Sequence, residues 1–520
     1  MKIRLKLLLT IFVATVLTSC DKNFEEINTD PTQLTNQNMQ YKYLFTSAQL
    51  YTAGNADGYS AGIWESSMSY ASTMIQQFSS TSGFWYGDKY IYNETYNSSF
   101  WRYQYPTAVK AIVDVMENIK GKANEENFYQ ITRILKAYLF QRLTDAYGDI
   151  PYSEAGIGFT QSKTRPKYDA QADIYADLLK ELDEAATSLD DALPNSVGDA
   201  DAFYGGDVAK WKKFAYSEML RLAMRLSKVD AAMAQQWVSK AVQGGVMESN
   251  DDNAICTHAA RGTNPLSNPV GLQLASREPG SYRLSQRFVE FLQDNDDPRL
   301  EFLATVTTDP SDGSELGDND PGIQLGQPNG YDRSGAATDI TNAPNWPGDQ
   351  NNYSVVNRTT FAREDAPTFI LTYAETQLLL AEATQLGWIN GTAAATYYRN
   401  GVEAAILQLN QAGATLTDDQ ASDYVDAHPY VAANGIRMIN EQYWVATFAD
   451  WLESWFNWRR SGFPVLTPVN YQGNVTNGTI PRRFTYPLDE AVSNPQNYLA
   501  AIANIANGDK MTSRVWWDVQ

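Results

Sequence analysis

Flat aromatic side chains set beside short amides and a cation point to one kind of recognition chemistry. Residues 79–105 read SSTSGFWYGDKYIYNETYNSSFWRYQY, placing Trp85, Tyr86, Tyr90, Tyr92 and Trp101 among Gly, Ser and Asn. Asn93, Asn97 and Arg102 stand next to them. A ring offers an apolar plane, and an amide or guanidinium offers directed hydrogen bonds. Together they suit a ligand with apolar C–H faces and a rim of hydroxyls, as a sugar has. A second segment, 305–366, is rich in Gly, Pro, Asp and Asn and carries Tyr331, Trp346 and Tyr353. Trp346 lies in the turn-rich Asn345-Trp346-Pro347-Gly348-Asp349, where a core role is less natural. The candidate ligand-binding residues are Trp85, Tyr86, Tyr90, Tyr92, Asn93, Arg102, Trp346 and Tyr353. The alternative is that these rings pack the interior.

Other chemistries find less support. The chain holds two histidines, His258 and His428, and two cysteines. This leaves little room for histidine catalysis or a disulfide framework. With 61 Asp plus Glu, a pair of glycosidase carboxylates is open by counting, but no motif marks a nucleophile or an acid, so the expectation is no enzyme. Asp294-Asn295-Asp296-Asp297 and Asp318-Asn319-Asp320 supply hard oxygen ligands that suit Ca²⁺. The second run has Ile323 where an EF-hand needs Gly, and solvated loop charge is the simpler reading of both. No cofactor and no metal site is expected beyond that Ca²⁺ possibility. Forty Lys plus Arg against those acids give a net charge of −21, the wrong sign for a nucleic-acid binder. Sequons at Asn93, Asn97, Asn357, Asn390, Asn474 and Asn477 reflect a chain rich in Asn and Thr.

These residues need a scaffold, and 520 residues at 43% hydrophobic can bury a large core. Helical periodicity dominates. Ile131, Ile134, Leu135, Tyr138, Leu139 and Leu143 fall on one stripe, which Gly148 and Pro151 end. Helices are predicted over 169–190, 207–228, 368–386, 392–409 and 436–458. Trp444, Phe448, Trp451, Leu452 and Trp455 share a face and read as core, Trp516 and Trp517 dock the tail, and Cys256 reads as a buried small hydrophobe. No alternating run suggests a substantial sheet, so a mostly α body of paired helices is expected. The segments 79–105 and 305–366 read as long irregular loops, which in compact proteins are usually functional.

The N-terminus sets the compartment. Lys2, Arg4 and Lys6 precede an uncharged stretch, Leu7 to Leu17, too short to span a bilayer. Leu17-Thr18-Ser19-Cys20 then reads as a bacterial lipobox, with Cys20 acylated as the first mature residue. An ordinary signal peptide with an incidental cysteine is the alternative. Residues 1–19 are read as signal, 20–38 as lipidated cysteine and tether, and 39–520 as one domain. Acyl chains on Cys20 would make the only membrane attachment.

The ordered motifs resemble the SusD/RagB family, surface nutrient-binding lipoproteins of Bacteroidetes. They are Asn28-Thr29-Asp30-Pro31 after the lipobox and Leu143-Thr144-Asp145-Ala146-Tyr147-Gly148-Asp149-Ile150-Pro151-Tyr152 after Leu135-Lys136-Ala137-Tyr138. Tyr373-Ala374-Glu375 with Leu380-Ala381-Glu382-Ala383 follows, then Trp455-Phe456-Asn457-Trp458-Arg459-Arg460-Ser461-Gly462. Arg482-Arg483-Phe484-Thr485-Tyr486-Pro487 and Asn494-Pro495-Gln496-Asn497-Tyr498 close the series. Asn457 stands where the family pattern has an acid. The details are closer to the SusD-like type 2 branch. The resemblance implies a SusD-like fold of four tetratricopeptide-like helix pairs with ligand-binding loops on one side. It implies an outer-membrane, cell-surface, lipid-anchored binder that hands oligosaccharide to a SusC-type TonB-dependent transporter, without enzymatic activity. Peptide uptake is the alternative within the family.

Overall fold

The computed structural model describes residues 39–54, 62–259 and 266–519, excepting the Phe159 side chain. The signal segment 1–19, with its lipobox, and the whole of the 20–38 tether lie outside the described residues. The contacts divide the chain after Tyr41, and residues 42–520 form one unit.

The scaffold of that unit is helical. Among its helices are α1 (Glu126–Tyr147), α2 (Gln171–Ser188), α3 (Val208–Arg225), α4 (Ala231–Gly244), α5 (Gln286–Asp294), α6 (Tyr373–Gln385), α7 (Ala394–Leu407), α8 (Asp418–Ala427), α9 (Gly435–Ala446) and α10 (Trp451–Ser461). Four pairs, α1–α2, α3–α4, α6–α7 and α9–α10, each pack together. The pairs interlock where α2 meets α3, α3 meets α6, α6 meets α9, and α10 returns to α1.

Local chemistry sets the boundaries. α1 stops at Gly148, whose φ of 87° is open to glycine. The Asp207 carboxylate caps α3 by accepting from Lys210 N at 3.0 Å. Thr372 and Glu375 close a capping box on α6.

Strands are short. β1 (Phe78–Ser79), β2 (Ile150–Pro151), β3 (Tyr168–Asp169), β4 (Ala254–Cys256), β5 (Arg283–Leu284), β6 (Ala304–Thr305), β7 (Val355–Val356) and β8 (Thr368–Leu371) form antiparallel pairs. The pairing sets Phe78 opposite Leu284, Ile150 opposite Asp169, Ala254 opposite Leu371 and Ala304 opposite Val356. They clip loops onto helices rather than build a layer.

The structure departs from the periodicity in three places. The helix predicted from 368 starts after Thr372, because Thr368–Leu371 is drawn into pairing with β4. The helix predicted over 436–458 is two helices. Ala449 has a φ of 74°, and Asp450 caps a new start by accepting from Glu453 N at 3.3 Å, so α10 folds back onto α9. The supposed loop 79–105 ends in a helix, Glu94–Gln104. Segment 305–366 is irregular, as expected, with single 3₁₀ turns. Trp444, Trp451, Leu452 and Trp455 are fully buried, Phe448 nearly so, and Cys256 is a buried free thiol.

A layer of paired charges runs through this apolar interior. Arg225 of α3 donates from Nε to Asp145 of α1 at 3.1 Å and from Nη2 to both Glu453 oxygens of α10 at 2.7 and 2.6 Å. One turn away, Arg221 reaches Glu375 of α6 at 2.7 Å. The Tyr443 hydroxyl of α9 lies 2.9 Å from both Glu375 and Glu453. Asp145 also accepts from the Tyr175 hydroxyl and from Trp517 Nε1, the latter at 2.7 Å, which docks the C-terminal tail. Arg460 grips Glu382 bidentately at 2.6 and 2.7 Å. With that carboxylate in place, Asn457 accepts from Arg460 at 2.8 Å and donates to Asn440 at 2.8 Å without adding charge. This accounts for its departure from the acidic pattern.

Removing one partner of such a pair strands a buried charge, which costs about 3–5 kcal/mol. Arg225→Met should therefore lower unfolding stability by about that amount, read as a shifted denaturant midpoint. Glu218→Gln is the internal control. Burial outweighs its Arg221 partner and pushes the Glu218 carboxyl up to about 7, and its Oε1 accepts no bond. Neutralising it should move the midpoint much less; equal losses in both variants would deny the network its role.

Candidate functional site

One cleft has a volume of about 470 Å³. It lies between the 328–338 loop, the 467–470 loop and the first turn of α5, with Gln76 at its base. Its walls carry four amides, Gln76, Gln286, Asn329 and Asn470, together with Arg287, Glu290 and the half-buried ring of Tyr331. Asn329 is spent within the protein, on Phe78 O and Ser285 Oγ, and the Gln76 and Gln286 amides already donate to Thr467 O and Glu290. Arg287 and the Asn470 amide remain as donors, and the Gln286 and Glu290 oxygens as acceptors, so the lining can still meet hydroxyls of either orientation. Glu290 is the one carboxylate in that lining, which leaves no facing pair of acids for hydrolysis.

The loops that form the cleft are pinned from below. Asp88 and Lys89 are buried and paired at 3.0 Å. Lys89 Nζ also donates to Ser80 O at 2.6 Å, and its ammonium stands 6.0 Å from the Tyr471 ring centre. Gln76 Nε2 donates to Thr467 O at 2.5 Å. A side chain at Gly330 would run into Val469, with its first carbon 2.3 Å from Cγ1, so glycine lets the two loops meet. Asp332 ties the rim together, accepting from Tyr471 Oη and Ser334 Oγ at 2.6 Å and from Thr338 Oγ1 at 2.9 Å. Burial raises such a carboxyl, but these donors outweigh it and hold Asp332 at about 2. Asp332 is therefore ionised at physiological pH, the form that accepts these bonds.

The predicted aromatics occupy different places. Trp85 is fully buried, against the stacked rings of Phe78 and Tyr282, with Nε1 donating to Glu278 at 3.3 Å. Tyr90 is buried under the cleft, at a φ of 52°, and its hydroxyl accepts from Val469 N at 3.1 Å. Tyr353 is fully buried in a cluster with Ile340 and Ala343. These three are corrected from ligand contacts to supports, because none has a face open to solvent. Asn93 is also reassigned: its side chain caps the helix at Glu94 by accepting from Tyr96 N at 3.2 Å. Arg102 is taken up by ion pairs to Glu94 and Asp489 at 3.2 and 2.9 Å. Tyr86 packs on Tyr96, with ring centres 5.2 Å apart, and Tyr92 is exposed with its hydroxyl donating to Glu94 at 2.5 Å. Trp346 is half-buried, 6.2 Å from the Tyr353 ring centre. It packs on the same cluster as Tyr331, the ring that reaches the cleft.

The sequence reading missed Gln76, Gln286, Arg287, Glu290, Asn329 and Asn470. Pro328-Asn329-Gly330 was legible as a turn that would present Tyr331; nothing marked 467–470. Of the two acidic runs, Asp297 is committed to Arg299 at 2.9 Å, and Asp320 accepts from Gly322 N at 2.8 Å.

A family profile described as "Starch-binding associating with outer membrane" matches residues 31–487. The chain belongs to the SusD-like type 2 family. Among solved structures, a chitin-binding protein is 33% identical over 92% of this chain and 100% of its own, with a TM-score of 0.79. A Bacteroidetes SusD-like structure is 27% identical over 93% and 100%, also at 0.79. A chitin-binding SusD homologue from Flavobacterium johnsoniae, 22% identical over 92% and 99% at a TM-score of 0.77, shows the shared fold. No curated protein matches. The matched family and this relative are described as binding proteins, not as enzymes.

The burial difference predicts a split. Trp85→Ala should cost about 3–5 kcal/mol of stability, as core ring truncations do, whereas Trp346→Ala should cost clearly less. Thermal melts without ligand would show it, and equal losses would place Trp346 in the core as well.

Proposed function

We propose that this SusD-like protein is a surface-exposed lipoprotein that binds oligosaccharide and passes it to a SusC-type TonB-dependent transporter in the outer membrane. The observation that carries the glycan reading is the cleft itself: one aromatic face, Tyr331, in a lining with the amides of Gln286 and Asn470, an arginine and one acid. The match to a starch-binding family and the likeness to a chitin-binding relative support it. Soluble chitin oligosaccharides and maltooligosaccharides are thus the first ligands to try.

Attachment through Cys20 rests on the lipobox, and no described helix is long and apolar enough to cross a membrane. The transporter partnership rests on family membership.

Calorimetric titration with both oligosaccharide series tests the glycan reading. Tyr331→Ala should weaken the best ligand by roughly ten- to hundred-fold, the loss of an anchor ring worth about 1–3 kcal/mol, with the melting temperature nearly unchanged. Binding of peptides in place of sugars would decide for the other branch of the family. For the anchor, Cys20→Ala should move the protein from the membrane pellet to the soluble fraction without unfolding it. Persistence in the pellet in cells lacking the transporter would count against acylation.

A further inference from the structure

A second cleft, of about 390 Å³, opens on the other side of α5, against α7, α9 and the turn after α8. Arg287 stands between the two, lining both. In this protein buried polar groups are mostly paired, as Arg225, Arg221 and Arg460 show. The second cleft is different. Tyr398 is 3% exposed, yet its hydroxyl has no hydrogen-bond partner among the described residues. Glu441 is half-buried between the charges of Arg437 and Arg287, but its carboxyl makes no hydrogen bond or ion pair there. The side chains of Arg287 and Arg437 likewise have no acidic partner within contact. His428 Nδ1 lies 2.9 Å from Tyr424 O. A carbonyl can only accept, so Nδ1 carries the proton and the neutral ring keeps Nε2 as a free acceptor.

Charged and polar groups that make no bond within the protein and line one concave place are open to a ligand. Their types narrow what that is. An uncharged sugar wants an open ring face, and the rings here are covered. Tyr424 lies between His428, 4.6 Å away, and the Arg299 guanidinium at 5.9 Å. Phe291 lies against Trp444 at 5.7 Å and Arg287 at 5.8 Å. A simple anion would suit the two arginines but would meet Glu441 and Asp294 in the same lining. A molecule carrying both charges satisfies both sets: guanidinium forks bind carboxylate, while Glu441 and His428 Nε2 accept from an ammonium.

We propose that this cleft is a second ligand site, separate from the glycan cleft, for a small zwitterion of the α-amino-acid type. Its carboxylate is held by Arg287 and Arg437, and its ammonium by Glu441 and His428, with the Tyr398 hydroxyl as a further partner.

The test uses the purified full chain and the twenty standard L-amino acids, read by thermal shift and calorimetry. At least one should bind more tightly than about 10 mM. Its amide, which lacks the carboxylate, and its N-acetyl derivative, which lacks the ammonium, should each bind at least about tenfold more weakly. Arg437→Gln and Glu441→Gln should each weaken the amino acid at least about tenfold with melting temperatures near wild type, since both sit at the cleft wall. Trp346→Ala, outside this cleft, should bind as wild type does. The proposal is overturned if none of the twenty binds. It is also overturned if the amide and N-acetyl forms bind equally well, or if both charge variants retain full affinity. Binding of glucose or inorganic phosphate that competes at this cleft would assign it to another ligand class and equally overturn the zwitterion reading.

Discussion

The pairing of Arg225 with Asp145 and Glu453 holds the helix pairs in one arrangement. A guanidinium with no access to water must find its acceptors inside the protein, and these come from α1 and α10. Moving any of the three helices by a turn would strand a charge, which costs several kcal/mol. Apolar packing alone tolerates sliding far better. The adjoining pairs, Arg221 with Glu375 and Arg460 with Glu382, extend the same constraint to α6, and the Tyr443 hydroxyl brings in α9. Trp517 brings the tail into it through Asp145.

The clefts depend on that scaffold in a different way. Neither is made by a single element. The first is the gap between two loops and α5, and the loops keep their places because buried groups, Asp88, Tyr90 and Gln76, bind their backbones. The second is the hollow between α5, α7 and α9. In both, the rigid part is apolar or paired, and the groups available to a ligand are the ones left over. Tyr331 shows the division within a single cluster: Tyr353 supplies the buried foundation, and Tyr331 supplies the exposed face.

The motif residues read from the sequence turn out to be structural. Asp145, Glu375, Glu382, Arg459 and Arg460 carried the family resemblance, and all are buried in or beside the charge layer. Their recurrence as a pattern follows from the geometry that buried ion pairs demand. It says little about what the protein binds. The aromatic-rich segment misled for a related reason. Tyr and Trp next to Gly and Ser mark an exposed loop equally well as a tightly folded one, and Trp85 and Tyr90 proved to be of the second kind.

What the sequence determined by itself was the periodic part: the α1 stripe and its stop at Gly148, α2, α3, α7, and the core face of Trp444, Trp451 and Trp455. Helical spacing and capping are local, so they are written locally. The SusD-like identity was legible too, because its motifs are short and ordered along the chain. The tertiary structure alone decided three things. It drew Thr368–Leu371 into a strand, since only the distant β4 supplies its hydrogen-bond partners. It split 436–458 in two, since α10 must turn back to bring Glu453 to Arg225. And it decided which side chains face a cleft, because Gln76, Arg287, Tyr331 and Asn470 are far apart in the chain, and no spacing rule relates residues that meet only when the helices between them have packed.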